Sequence, residues 1–275
     1  MCGIVGYVGR RPCRDLLIAG LQKLEYRGYD SAGISLLVDG RIETVRAVGN
    51  LANLRRAVTE ANGNGAVAVA DARSTIGLAH TRWATHGRVT EQNAHPHGDC
   101  EDRIHIVLNG IVENHSELRQ QLRDAGHVFS SETDAEIVAH LIERHDEGDL
   151  TEAVRRAFNE LRGHYAFAAM HSHHPGVLVA ARRECPLVVG LGEGETFVAS
   201  AIATDPFPAP LLTAARRFAR FPTARTVSIL PSTSSEIPAE SYPRYSSFSK
   251  PAISRSRQGR PPTYPTMPHI EGEKG

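Results

Sequence analysis

Apolar positions along the first 200 residues fall into short runs, most with the period of strands and a few with that of helices. Residues Cys2–Val8 (C-G-I-V-G-Y-V) are β-rich and end at Gly9, which predicts a strand opening at the second position. Asp15–Leu24 places Leu16, Leu17, Leu21 and Leu24 on one helical face. Ser31–Val38 and Arg41–Val48 are two strand-like runs joined by Asp39-Gly40, a two-residue hairpin turn. Strands are expected again at Ile76–Ala79, Ile104–Leu108, Tyr165–Met170, Val177–Ala181, Leu187–Val189 and Phe197–Ala199. Two further helices are expected. One opens at a Thr133-x-x-Glu136 capping box and the other at Thr151-Glu152. Many strands with few helices between them predict an α+β layered fold rather than a doubly wound sheet.

Composition divides the chain. Of 16 prolines, 12 lie in residues 203–275, with only 3 of the 24 glycines. That stretch carries ten Lys/Arg against five Asp/Glu, whereas residues 1–202 carry 21 against 26. The expected organisation is therefore a Gly-rich domain over 1–202 and a Pro/Ser/Arg-rich tail over 203–275, largely disordered from about 231 onward. The tail's diffuse charge, without interleaved aromatics, predicts no nucleic-acid partner. No apolar run reaches the ~18 residues of a membrane span and no signal peptide precedes Cys2, so no membrane association and a cytoplasmic location are expected. Four scattered cysteines form neither a disulfide framework nor a C-x-x-C metal site, and Cys13, Cys100 and Cys185 read as reduced, structural thiols.

Cys2 is chemically distinct. Removal of Met1 would leave its thiol beside its own α-amine, whose pKa of about 8 makes it a usable base. Position alone also allows a buried cysteine at the start of an edge strand. Three other clusters carry chemistry. In His80-Thr-Arg-Trp-Ala-Thr-His86-Gly, Arg82 can grip a carboxylate bidentately and Trp83 can cover a ligand. His86, His95 and His97 raise a zinc alternative, but neither tight spacing nor a fourth ligand is evident, and no metal or other cofactor is expected. His171, His173 and His174 read as surface loop residues. Asn109-Gly110 is a turn signal or an oxyanion hole, built from a side-chain amide and a backbone N–H. Asp134, near a helix start, can take a ligand's ammonium group.

Taken together, C-G-I-V-G-Y-V-G from Cys2, L-E-Y-R-G-Y-D-S-A-G from Leu24, H-T-R-W-A-T-H-G from His80, N-A-H-P-H from Asn93, N-G-I-V-E-N-H from Asn109 and S-E-T-D-A-E from Ser131 resemble the glutaminase domain of the glucosamine-6-phosphate synthase family of class II amidotransferases. The resemblance runs from residue 2 to about 202. It implies a four-layer αββα N-terminal-nucleophile sandwich, L-glutamine as substrate, and hydrolysis to glutamate and ammonia through a Cys2 thioester. It further implies that Arg82, Thr85 and His86 hold the substrate carboxylate and Asp134 its ammonium. Asn109 and Gly110 would form the oxyanion hole, Trp83 would belong to the lid, and Arg27 lies in a matching loop. Two departures stand out within the domain: Leu108 where the family has histidine, and Glu184-Cys185 where it has Gly-Ser. Beyond Ile202 the family's terminal strands and its sugar-phosphate isomerase half are expected to be missing, as a truncated or frameshifted gene would leave it. A separate isomerase or synthase domain, or a homodimer, would then be the partner. Another class II acceptor specificity and a non-catalytic remnant are the competing expectations.

Overall fold

A computed structural model describes residues 2–61, 73–84, 87–201, 217–220 and 226–229. The first sheet contains β1 (Gly3–Val8), β2 (Ser31–Val38), β3 (Arg41–Val48), β4 (Ile76–Arg82), β9 (Val188–Gly192), β10 (Glu195–Ala199) and β11 (Arg217–Arg220), in the order β11-β9-β10-β1-β4-β2-β3. The second contains β5 (His97–Gly98), β6 (Ile104–Val112), β7 (Gly163–His171), β8 (Leu178–Arg183) and β12 (Thr226–Ile229), in the order β12-β8-β7-β6-β5. All of these pairings are antiparallel. Among the described residues five α-helices accompany them: α1 (Arg14–Leu24), α2 (Leu51–Ala61), α3 (His115–Asp124), α4 (Glu136–Arg144) and α5 (Leu150–Glu160).

Alternation along the strands assigns each side chain to a layer. On β1, Val5 and Tyr7 turn toward Leu17, Leu21 and Leu24 of α1, while Ile4 and Val8 turn toward the second sheet. On β7, Tyr165 and Phe167 pack with Ile137, Leu141 and Val154 of α4 and α5, and Ala166 and Ala168 face the first sheet. The result is three cores in four layers, helices outside and two sheets inside, as expected. Full burial of Leu17, Leu21 and Leu24 contributes about 2 kcal/mol each relative to exposure.

The structure corrects several expectations. Thr133-x-x-Glu136 does not form a capping box. Helix α4 begins only at Glu136, its N-cap Ala135 has no side-chain acceptor, and the Glu136 carboxylate accepts the N–H groups of Ser130 and Ser131 instead. Asp134 therefore precedes the helix. α5 is capped by Asp149, which accepts from the N–H groups of Thr151 and Glu152. His171 is not a surface residue: it is buried on β7 and bonded through Nε2 to Asp146 at 3.0 Å. β11 pairs with β9 and β12 with β8, extending both sheets inside the stretch expected to be tail. The expected disorder from 231 onward lies outside the described residues.

Candidate active site

The period-two rule that builds the sheets also builds the site. Leu78, His80 and Arg82 share the inner face of β4, and Val107 and Asn109 share the facing side of β6. Cys2 sits just ahead of β1, which pairs with β4 in the register Gly3↔Thr81 and Ile4↔His80. This brings residue 2 beside Arg82 and Trp83. Gly3 is required there, because a Cβ would lie 2.7 Å from Thr81 Oγ1 and 2.8 Å from Leu24 Cβ.

Cys2, Arg82, Trp83, His95, Leu108, Gly110, Thr133 and Asp134 line one pocket. The Cys2 sulfur accepts the Trp83 N–H at 3.2 Å, and its thiol lies 3.5 Å from the Trp83 carbonyl. Burial pushes the thiol above its ordinary range, against the opposing pull of the Trp83 N–H and Arg82. The resting group is thus a neutral thiol that needs a base before it can act. Arg82 is buried and donates to the Arg88 carbonyl at 3.2 Å. Asp134 is tied to the end of β6 by the Val112 N–H at 2.8 Å. Trp83 is 44% exposed and meets Tyr29 edge to face.

Asn109 is oriented from both ends. Its Nδ2 donates to the Cys2 carbonyl at 3.0 Å, and its Oδ1 lies 3.0 Å from His80 Nε2, which is also 3.0 Å from the Leu108 carbonyl. Two acceptors at Nε2 place the imidazole proton there. Burial lowers His80 to about 4, so the ring stays neutral. His80 stacks on His95 at 4.1 Å, His95 Nδ1 accepts the Leu108 N–H at 3.2 Å, and His97 Nε2 meets the Thr133 hydroxyl at 2.9 Å. Burial drives His95 well below the usual range and His97 down to about 3. Three neutral histidines thus stand at the site, His95 lining the pocket and His80 and His97 bonded to Asn109 and Thr133. Sequence reasoning raised two of them only as zinc ligands and gave His80 no role. The alternation of β4 could have singled out His80.

Gly28 and Asp30 of Y-R-G-Y-D also acquire a position. A Cβ at Gly28 would lie 2.7 Å from the Arg82 carbonyl carbon and 2.9 Å from Trp83 N. Asp30 donates its N–H to the Arg82 carbonyl at 3.1 Å and accepts the Ala84 N–H at 2.8 Å. The motif therefore holds the backbone that presents the Trp83 N–H to the sulfur. Arg27 is not among the pocket-lining residues. It lies on a short 3₁₀ turn, with Nε donating to the Tyr26 hydroxyl at 3.2 Å. Thr85, His86 and Met1 lie outside the described residues. Leu108 presents its backbone to two of the histidines, and Glu184 adopts a left-handed φ of 67°.

Residues 80–204 match a family model described as a glutamine amidotransferase domain. Those residues carry the signature of a glutamine amidotransferase domain. The chain is 49% identical over 205 residues to the glutamine–fructose-6-phosphate aminotransferase (isomerizing) of Thermosynechococcus vestitus and 50% identical over 202 residues to that of Symbiobacterium thermophilum. The enzyme of Streptomyces coelicolor is 48% identical over 205 residues. These matches cover 73–74% of this chain but 31–32% of the relatives, so the chain spans about a third of their length. In fold, the amidotransferase domain resembles the glutamine phosphoribosylpyrophosphate amidotransferase of B. subtilis. The TM-score is 0.60 at 23% identity, covering 84% of this chain and 46% of that one. A structure titled as the allosteric regulatory enzyme of purine biosynthesis gives a TM-score of 0.65 at 23% identity, covering 83% and 47%. What these structures share with the chain is the fold, here two antiparallel sheets with helices outside them. No helix among the described residues is long and apolar enough to cross a membrane.

Proposed function

We propose that this amidotransferase domain hydrolyses L-glutamine to glutamate and ammonia, with Cys2 as nucleophile once Met1 is removed. The observation that carries the reading is one pocket holding the Cys2 thiol, a buried arginine and an aspartate, with Asn109 anchored on the Cys2 carbonyl. In this reading the α-amine of Cys2 takes the thiol proton and the thiolate attacks the side-chain amide carbon. Negative charge on the former amide oxygen is met by Asn109 Nδ2 and the Gly110 N–H, each donor worth about 3 kcal/mol of barrier. The carbon–nitrogen bond then breaks as the ammonium returns its proton to the leaving ammonia. Water cleaves the resulting thioester and restores the thiol. Arg82, with Thr85 and His86, holds the substrate carboxylate, Asp134 its ammonium, and Trp83 covers the pocket. Arg27 belongs to the neighbouring loop that accompanies this lid.

Identity of 45–50% over some 200 residues to fructose-6-phosphate aminotransferases supports delivery of the ammonia to a sugar phosphate. The acceptor chemistry would reside on a separate isomerase domain, with the amidotransferase acting alone, in such a pair or as a homodimer in the cytoplasm. A glutamine analogue bearing a diazoketone in place of the side-chain amide tests the nucleophile and the pocket together. Intact mass should show one adduct per Met1-free chain, located on Cys2 and blocked by excess glutamine. Labelling of Cys100 or Cys185 instead, or no protection by glutamine, would overturn the assignment.

A further inference from the structure

Away from this pocket, Cys100, His127, His140 and Glu143 point one donor atom each at a common centre, all four within 4.8 Å of one another. They come from three segments: the loop between β5 and β6, the connection after α3, and helix α4. On α4 the i,i+3 spacing puts His140 and Glu143 on one face. We propose that these four side chains form a structural zinc site.

Bond lengths of about 2.3 Å to sulfur and about 2.0–2.1 Å to nitrogen or oxygen give a tetrahedron with S···N edges of about 3.6 Å and N···N or N···O edges of about 3.3 Å. The Cys100 sulfur lies 3.5 Å from His140 Nδ1 and 3.7 Å from His127 Nδ1, which matches the sulfur edges. Glu143 Oε2 lies 2.8 Å from His127 Nδ1 and 3.0 Å from His140 Nδ1, so the nitrogen–oxygen edges need to open by only a few tenths of an ångström. The two rings meet at 62°, each directing Nδ1 inward.

The surroundings complete the argument. His140 Nε2 is buried without a hydrogen-bond partner, 3.8 Å from Glu136 Oε1. A neutral ring protonated at Nδ1 would aim the Nε2 lone pair at that carboxylate. Metal at Nδ1 moves the proton to Nε2 and makes the contact attractive, the usual arrangement of a carboxylate behind a ligating histidine. The Cys100 sulfur accepts the Val128 N–H at 3.5 Å, a contact that opposes the upward push on the thiol from burial and Glu143. One thiolate, two imidazoles and one carboxylate suit Zn²⁺, and four protein donors leave no open position, so the site is structural rather than catalytic. It would clasp both ends of residues 127–140. That segment carries Thr133 and Asp134, and Glu136 within it also binds Ser130 and Ser131.

The test titrates the reduced full-length chain with cobalt(II) as a spectroscopic probe, and separately with zinc. The expected result is one tight equivalent, with tetrahedral cobalt absorption and a thiolate-to-cobalt charge-transfer band. Cys100→Ser should abolish that band, and Glu143→Gln should weaken cobalt binding by at least about tenfold. Zinc should raise the melting temperature of the parent chain clearly more than that of Glu143→Gln. The parent's spectrum stands even where a variant folds poorly. No charge-transfer band in the parent would overturn the proposal. So would a band that persists in Cys100→Ser, or an equal zinc effect on the parent and Glu143→Gln.

Discussion

His80 and Asn109 form a pair in which one side chain sets the chemistry available to the other. An amide free to rotate presents its donor only part of the time, whereas His80 Nε2 and the Cys2 carbonyl hold Asn109 in one orientation. Asn109→Ala should therefore lower kcat for glutamine hydrolysis by about 10²–10³-fold with a much smaller change in KM. His80→Phe keeps the bulk but removes the donor, and should lower kcat by about 10²-fold through misplacement of Asn109. His80→Gln, which can still donate, should recover part of the loss. Steady-state glutamate release checks both. The same histidines make a pH prediction. His80, His95 and His97 are held neutral, with folded pKa values below the unfolded value near 6.5. The unfolded chain therefore binds protons first as pH falls. Stability is then lost from about pH 6.5 downward toward the folded values of about 4 for His80 and about 3 for His97. Each contributes a slope of up to about 1.4 kcal/mol per pH unit. Denaturant titrations at pH 7, 6 and 5 should show midpoints falling together, and His97→Asn should flatten the dependence. At this scale the placing of Cys2, Arg82 and Asp134 around one pocket, with Asn109 bonded to Cys2, was legible because each lies in a motif whose chemistry is local. The histidine cluster was not, because stacking between β4 and the 95–97 segment leaves no spacing rule in the chain.

The turn between β8 and β9 contains Glu184 at a φ of 67°, a region in which a side-chain-bearing residue pays about 1–2 kcal/mol relative to glycine. Glu184→Gly should stabilise the domain by about 1 kcal/mol, less the entropy that glycine adds to the unfolded chain. An urea midpoint higher than that of the parent checks this, and an unchanged or lower midpoint would remove strain from the account of that turn. Strands were legible at this scale because alternation is dense: β2 and β3 run as expected, with Asp39 at φ 48° and Gly40 at φ 79° between them. α2 and α3 were not foreseen. α3 buries only Leu118 and Leu122, too narrow a stripe to stand out in H-S-E-L-R-Q-Q-L-R-D. The Thr133–Glu136 spacing misled for a different reason. Glu136 is drawn to Ser130 and Ser131, and Thr133 to His97, so tertiary partners displaced the local cap.

Across the whole molecule the site depends on two sheets packing correctly. Arg82 and the strand that follows Cys2 belong to one, Asn109 and Gly110 to the other, and the core between them holds Ile4, Leu78, Val107 and Ala168. β11 and β12 cover β9 and β8, one at an edge of each sheet. A chain ending at residue 202 would leave both partner strands with unpaired backbone groups. It should melt at a lower temperature and scatter more light on heating than the 275-residue chain, as calorimetry and light scattering would report. An unchanged melting temperature would mean that β11 and β12 add nothing to the fold. The layered α+β class was legible from strand number and alternation. Edge closure was not, because four-residue strands in a Pro-rich, basic stretch carry no period of their own. The proposed cleavage of glutamine by Cys2 is tested by the glutamate formed per chain by purified protein whose intact mass lacks Met1. Repeated turnover should be seen and should disappear in Cys2→Ala, while glutamine still raises the melting temperature of that variant. Equal glutamate release by the two proteins, or none by either, would contradict the proposal.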